Sequence, residues 1–260
     1  DAKFPEVVRF TGHTGAVTAV AFNNDATQVL SGSADASVKL WAVADASQVT
    51  NFAGHTGPVV AVAMPNNQPI SASADKTIRF WNASSGQPSR TLTQRAAVTT
   101  MSVSSDGTKL AAALTNDNIA IHQLSDGAAL HTLAGHAAPA THVAFSADNS
   151  RLVSADPTRA IVWDMADGRL LEIVPRAAIA SANFAASNSE LLLADEAGEM
   201  VIELMRFAAA LRGMEQPVRR VAFHPSGQVI VAACADGTIR GFNQADAQQT
   251  FSANHGAPVW

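Results

Sequence analysis

GHTGAVTAVAFNNDATQVLSGSADASVKLWAVADASQVTNF, residues 12–52, is the stretch whose reading decides the fold. It holds four short runs of alternating apolar and β-branched residues, VTAVAF, TQVLSGS, SVKLW and QVTNF. Turn clusters at Asn23-Asn24-Asp25, Ala34-Asp35-Ala36 and near Asp45 divide them. Period-two alternation in runs this short is strand chemistry, and Asn, Asp and Gly are the residues that accept tight-hairpin geometry. The opening run recurs as VVAVAM (59–64), VTTMSV (98–103), ATHVAF (140–145), IASANF (179–184) and VRRVAF (218–223). Gly-His precedes it at Gly12-His13, Gly54-His55 and Gly135-His136. Six copies of about 40 residues therefore fill the chain, at approximately 12–53, 54–93, 94–134, 135–174, 175–213 and 214–254. The fifth is the weakest: MVIELMRFAAALRG (200–213) reads as a shortened hairpin or, alternatively, a short amphipathic helix.

Composition agrees with a folded chain and narrows its function. Of 260 residues, 47% are hydrophobic and 15% charged, with a net charge of −5, which excludes disorder and argues against nucleic acid or an anionic membrane as partner. No window reaches the ~18 uninterrupted apolar residues of a membrane helix. Cys234 stands alone, so neither an internal disulfide nor a zinc cluster can be built from it. It reads as a buried small residue, compatible with cytoplasm or periplasm. Alanine, at 52 residues, is in excess, but not at helical spacing, and reads as a small strand residue where sheets press together.

A four-strand unit with Gly-His at its front and an Asp followed six residues later by Trp, as in Asp35/Trp41 and Asp75/Trp81, resembles the WD-repeat (WD40) family of β-propellers, of bacterial type. The resemblance implies an all-β propeller of four-stranded antiparallel blades. It also implies a buried hydrogen-bonded tetrad in the best-matching copies: His13, Ser31, Asp35 and Trp41; His55, Ser71, Asp75 and Trp81; and His136, Ser154, Asp156 and Trp163, the fourth-copy Asp fitting if the turn at Pro157 is one residue shorter. Gln94, Ala112, Asn116 and His122 stand at these places in the third copy, none of the four in the fifth, and only Asp236 in the sixth, with Phe242 for Trp. A His and an Asp beside a Ser also form a hydrolase-like set, but here it recurs at the repeat period and ends on Trp, which points to structure. His131, His136 and His142 cluster without a carboxylate or Cys at ligand spacing, so no metal and no cofactor is expected.

By the same resemblance, a partner-binding face would lie just before the tetrad Asp (Ala34, Ala74, Thr115, Ala155, Ala235) and early in each innermost strand. The early-strand candidates are Thr18, Val60, Thr99, Thr141, Arg219 and Trp260, of which only Arg219 and Trp260 are hot-spot types. Residues 6–11 align with a fourth strand and residues 255–260 with the start of a seventh innermost one, giving six full repeats plus a split, incomplete seventh. A fragment of a longer propeller, closure with six blades, and an open ring whose edges pair with another copy or a complementing fragment all fit that count. The expected function is a non-catalytic protein-protein interaction scaffold. The alternatives are an enzyme or small-ligand binder using a central channel, and a fragment or engineered chain whose main property is self-assembly.

Overall fold

The computed structural model describes residues 8–185, 189–205, 218–223, 229–243 and 248–254. The first sheet is built from β1 (Val17–Phe22), β2 (Gln28–Ser33), β3 (Val38–Ala42) and β4 (Gln48–Phe52). The second holds β5 (Val59–Ala63), β6 (Ile70–Ser73), β7 (Thr77–Trp81) and β8 (Pro88–Thr93). The third holds β9 (Val98–Val103), β10 (Lys109–Leu114), β11 (Asn118–Gln123) and β12 (Ala129–Ala134). The fourth has β13 (His142–Phe145), β14 (Arg151–Asp156), β15 (Arg159–Asp164) and β16 (Leu170–Pro175). The fifth has three described strands, β17 (Ile179–Phe184), β18 (Glu190–Asp195) and β19 (Met200–Leu204). The sixth has β20 (Val218–Phe223), β21 (Val229–Cys234), β22 (Thr238–Asn243) and β23 (Gln249–Asn254). Each is an antiparallel meander paired in chain order, the arrangement of propeller blades. Residues 200–204 are strand, which removes the helix from that part of the fifth copy; 206–213 lie outside the described residues. Among the described residues no helix is long and apolar enough to cross a membrane.

The chain divides into two compact units, Asp1–Met205 and Arg206–Trp260. In the first unit the innermost strands of consecutive sheets lie side by side, β1 against β5, then β9, β13 and β17. The core follows from that stacking, because each buried cluster spans two consecutive sheets. Leu30, Val38 and Leu40 pack with Val59, Met64 and Trp81; Ile70 and Ile78 with Val98 and Leu110; Ile119 and Ile121 with Val143 and Trp163; Val153 and Val162 with Ile179 and Leu193. Strand alanines Ala72, Ala112, Ala155 and Ala182 are fully buried in these layers. Others serve differently, as Ala26, Ala36 and Ala46 occupy turns of the first sheet with φ of 56–64°.

One irregularity recurs in five of the six sheets. A β-bulge interrupts the first-to-second strand ladder between Val17/Ala19, Val59/Ala61, Ala113/Leu114, Ile179/Ser181 and Val218/Arg220. The unpaired residue is therefore Thr18, Val60, Thr99, Ala180 or Arg219, and at the first four the bulge re-aims the side chain out of the pleat. Of the residues read as a split seventh blade, 6–7 and 255–260 lie outside the described residues, and 8–11 carry no strand.

Candidate functional site

The first sheet brings four distant side chains together. His13 precedes β1, Ser31 lies on β2, Asp35 in the β2–β3 turn and Trp41 on β3. Trp41 Nε1 donates to Ser31 Oγ at 2.8 Å, the hydroxyl faces His13 Nε2 at 2.8 Å, and His13 Nδ1 lies 3.1 Å from Asp35 Oδ2. With the indole as donor, the proton order closes only if Ser31 donates to Nε2 and Nδ1–H donates to the carboxylate. The second sheet repeats this with Trp81 to Ser71 at 2.8 Å, Ser71 with His55 at 2.8 Å and His55 with Asp75 at 2.8 Å. In the fourth the three distances are 2.7, 2.6 and 2.7 Å. There Asp156 ends β14 and pairs with Arg159 across a two-residue turn, so the shortened hairpin still delivers its carboxylate. The Gly of Gly-His has its own reason: Gly12 has φ +144°, and a Cβ there would stand 3.2 Å from Trp41 Cη2.

Electrostatics hold these groups in fixed states. Burial favours a neutral Asp75, but bonds from the Thr77 hydroxyl, His55 and the Thr56 amide outweigh it and lower the carboxyl to about 2. Asp156 is lowered to about 2 in the same way, with Thr158 and His136 as donors. Asp35 also falls well below the usual range, where bonds from Ser37, Thr14 and His13 overcome its burial. Burial lowers His55 despite the neighbouring Asp75, so its imidazole is neutral. Ser71 and Ser154 are 0% exposed, so no substrate reaches either hydroxyl, and each accepts an indole N–H on its oxygen.

Two sheets replace the tetrad. In the third, Gln94 and His122 meet directly, Oε1 to Nε2 at 3.2 Å, with Ala112 at the place of the tetrad Ser, while Asn116 is exposed. His122 Nδ1 faces the Gly127 carbonyl at 3.2 Å, and one amide atom of Gln94, Nε2, is buried without a partner. In the fifth, the place of His is held by Pro175, and the next residue, Arg176, bonds through its Nη2 to Asp195 at 3.1 Å and Glu199 at 2.9 Å. Sequence reading passed over Arg176, whose partners lie 19 and 23 residues further along the chain. In the sixth, Asp236 caps its turn through Thr238, and Phe242 and Cys234 are buried. Among the described residues no three metal-ligating groups converge; His142 contacts Ser181 instead.

The suggested recognition residues separate. Ala34, Ala74 and Thr115 join one rim with Ala16, Pro58 and Ala97 through backbone bonds of 2.9–3.0 Å. Ala155 does not belong there: the shorter turn leaves it inside β14, fully buried. Thr18 and Thr99 spend their hydroxyls within the fold, donating to Val59 O and Ala140 O of the following sheet at 2.6 Å each. Thr141 bonds Ala155 O at 3.4 Å, and Val60 is half-buried. The Arg219 side chain and Trp260 lie outside the described residues. Lys76 and Arg95, exposed in the β6–β7 turn and the loop before β9, add positive charge that the strand-start reading missed.

The WD40 family model, "WD domain, G-beta repeat", matches residues 4–42, 46–82, 127–164 and 206–243, more than half of the chain. The chain is similar to apoptotic protease-activating factor 1 of Rattus norvegicus, at 27% identity over 164 residues, 62% of this chain and 13% of that protein. It is similar to WD repeat and HMG-box DNA-binding protein 1 of Xenopus laevis, at 25% over 249 residues, 89% of this chain and 22% of that one. It also resembles WD repeat-containing protein SL1-17 of Schistosoma mansoni, at 29% over 167 residues, 63% and 55% of the two chains. The chain thus spans about half or less of these relatives, and all three are animal proteins, which lends no support to a bacterial type.

Proposed function

Because the chain belongs to the WD40 repeat family, whose repeats generally mediate protein-protein interaction, we propose that it is a non-catalytic scaffold that binds protein partners on the rim formed by Ala34, Ala74, Thr115 and the innermost-strand starts. One observation carries this reading. The first two tetrads anchor turns that form the rim, with Asp35 and Asp75 bonded both to the preceding loop and to their own turn amides. A surface held this way meets a partner with little ordering entropy left to lose. Lys76 and Arg95 give its second and third sheets positive charge for acidic groups of a partner, with Asp117 and Glu196 supplying negative charge at the equivalent places of the third and fifth. Their test is photocrosslinking from Ala74 and Thr115, with the exposed outer-strand residue Thr91 as control. Adducts from the rim that vanish in Lys76→Glu/Arg95→Glu support the proposal; adducts from Thr91 alone overturn it.

A second reading, self-association, rests on the open side of the first sheet. Val17, Val20 and Phe22 are 52%, 63% and 60% exposed beside a cavity of about 640 Å³ lined by Phe10, Val29 and Trp41. The matching residues Val59, Met64 and Val98 are buried by a preceding sheet. Light scattering over a concentration series decides it: a strict monomer at high concentration refutes self-association.

A further inference from the structure

Beyond the inner rim, the outer edge of the first four sheets carries a repeated contact of its own. Thr50, Arg90 and His131 occupy one register position on the fourth strands, opposite Leu40, Phe80 and Ile121. Each reaches the third-to-fourth-strand hairpin of the following sheet. Thr50 Oγ1 donates to Ala83 O at 2.6 Å. Arg90 donates from Nη1 to Leu124 O at 2.9 Å and from Nη2 to Ser125 O at 2.6 Å, while its guanidinium lies 4.9 Å from the Phe80 ring centre. Ala83 and Leu124 are equivalent, each following the residue whose amide closes the hairpin, Asn82 to Gln87 O and Gln123 to Ala128 O.

The receiving hairpin is shaped for this approach. Gly86, Gly127 and Gly168 recur at intervals of 41 residues with φ of +70°, +81° and +74°. A Cβ on them would stand 3.3 Å from Thr50 Cγ2, 2.5 Å from Leu92 Cδ2 and 2.9 Å from His131 Cγ. Glycine is thus needed both for the left-handed turn and for the closeness of the neighbouring fourth strand.

We infer that this register position is an inter-sheet latch, and that the side chain occupying it sets how tightly the outer strands of one sheet are coupled to the next. Arg90 is the strong latch, because a planar fork bonds two successive carbonyls at once. Thr50 supplies one bond. His131 rests its ring on Gly168 at the equivalent hairpin, where Asp164 N bonds Arg169 O.

Native-state hydrogen exchange of the whole chain, followed by peptide mass, tests this. Arg90→Ala should speed exchange across residues 121–131 by about tenfold or more, with residues 38–52 unchanged, and Arg90→Lys should restore little because an ammonium lacks the fork. The converse variant, His131→Arg, should slow exchange across residues 162–172 several-fold by supplying the fork to the carbonyls of Met165 and Ala166. A uniform rise over all sheets in Arg90→Ala, or an equal rise in the neighbouring Thr91→Ala, refutes a local latch. So does a His131→Arg protein that folds normally, by circular dichroism, with exchange over 162–172 unchanged.

Discussion

Deleting one hydroxyl should have very different consequences in two tetrads of identical bonding. Ser71→Ala removes the group that accepts Trp81 Nε1–H and donates to His55 Nε2, both at 2.8 Å. Trp81 is 1% exposed and Ser71 0%, so water cannot replace it. The indole donor and imidazole acceptor, each one bond length from the vacated oxygen, are too far apart to bond one another. At about 1–3 kcal/mol for each stranded buried group, the loss should be about 3 kcal/mol. Ser31→Ala breaks the same bonds, but Ser31, His13 and Trp41 line the 640 Å³ cavity, where a water can take the hydroxyl's place. There the loss should be about 1 kcal/mol. Urea unfolding monitored by tryptophan fluorescence, with the wild-type slope as reference, measures both. If Ser71→Ala costs no more than Ser31→Ala, the buried network contributes far less than its geometry implies, and the reasoning fails.

Three further outcomes are expected. Ala26, Ala36 and Ala46 hold left-handed backbone in turns where Gly107, Gly237 and Gly127 stand in other sheets, so each Ala→Gly change should raise stability by about 0.5–1 kcal/mol. The same change at the strand residue Ala72 should lower it, and matching signs at all four sites in thermal melts would defeat the argument. Acidification should destabilise in two stages. Burial lowers His55, His122 and His142 from 6.5, so the unfolded chain takes up their protons first and stability falls as pH drops below about 6.5. Asp75 and Asp156, at about 2 when folded, add a further loss below about pH 4, and a melting temperature flat from pH 7.5 to 5 contradicts the first stage. Finally, Ala112→Ser, which restores the hydroxyl at the tetrad position, should stabilise the third sheet by about 1 kcal/mol by offering a partner to Gln94 Nε2, buried without one. A calorimetric melt showing a loss instead means that the hydroxyl does not fit among its buried neighbours.

What was legible in the sequence, and what was not, follows from how each feature is encoded. The strands and the meander order were written in short alternating runs and Asx turns, such as Asp106-Gly107-Thr108, where Asp106 Oδ1 bonds the Thr108 amide at 2.9 Å. The tetrads were legible because His, Ser, Asp and Trp are distinctive and return at a fixed interval, and because an Asp one residue out of step, Asp156, needs only a tighter hairpin. Arg176 escaped notice because it stands one residue past the place of His and changes the chemistry: its partners Asp195 and Glu199 sit at the positions of Ser33 and Ser37, not of Asp35. The proposed recognition rim was the least legible part. Whether Thr18 is a free contact or an inter-sheet link depends on a bulge and on Val59 O of another sheet, 41 residues away, which no local pattern reports. The same physics explains why structural residues were so readable and binding residues were not. A buried hydroxyl must be matched by partners of fixed type, whereas an exposed alanine on a rim constrains nothing except how close a partner can come. On the proposed reading, partner selectivity comes from the rim positions where a charge interrupts the alanines, among them Lys76, Arg95, Asp117 and Glu196.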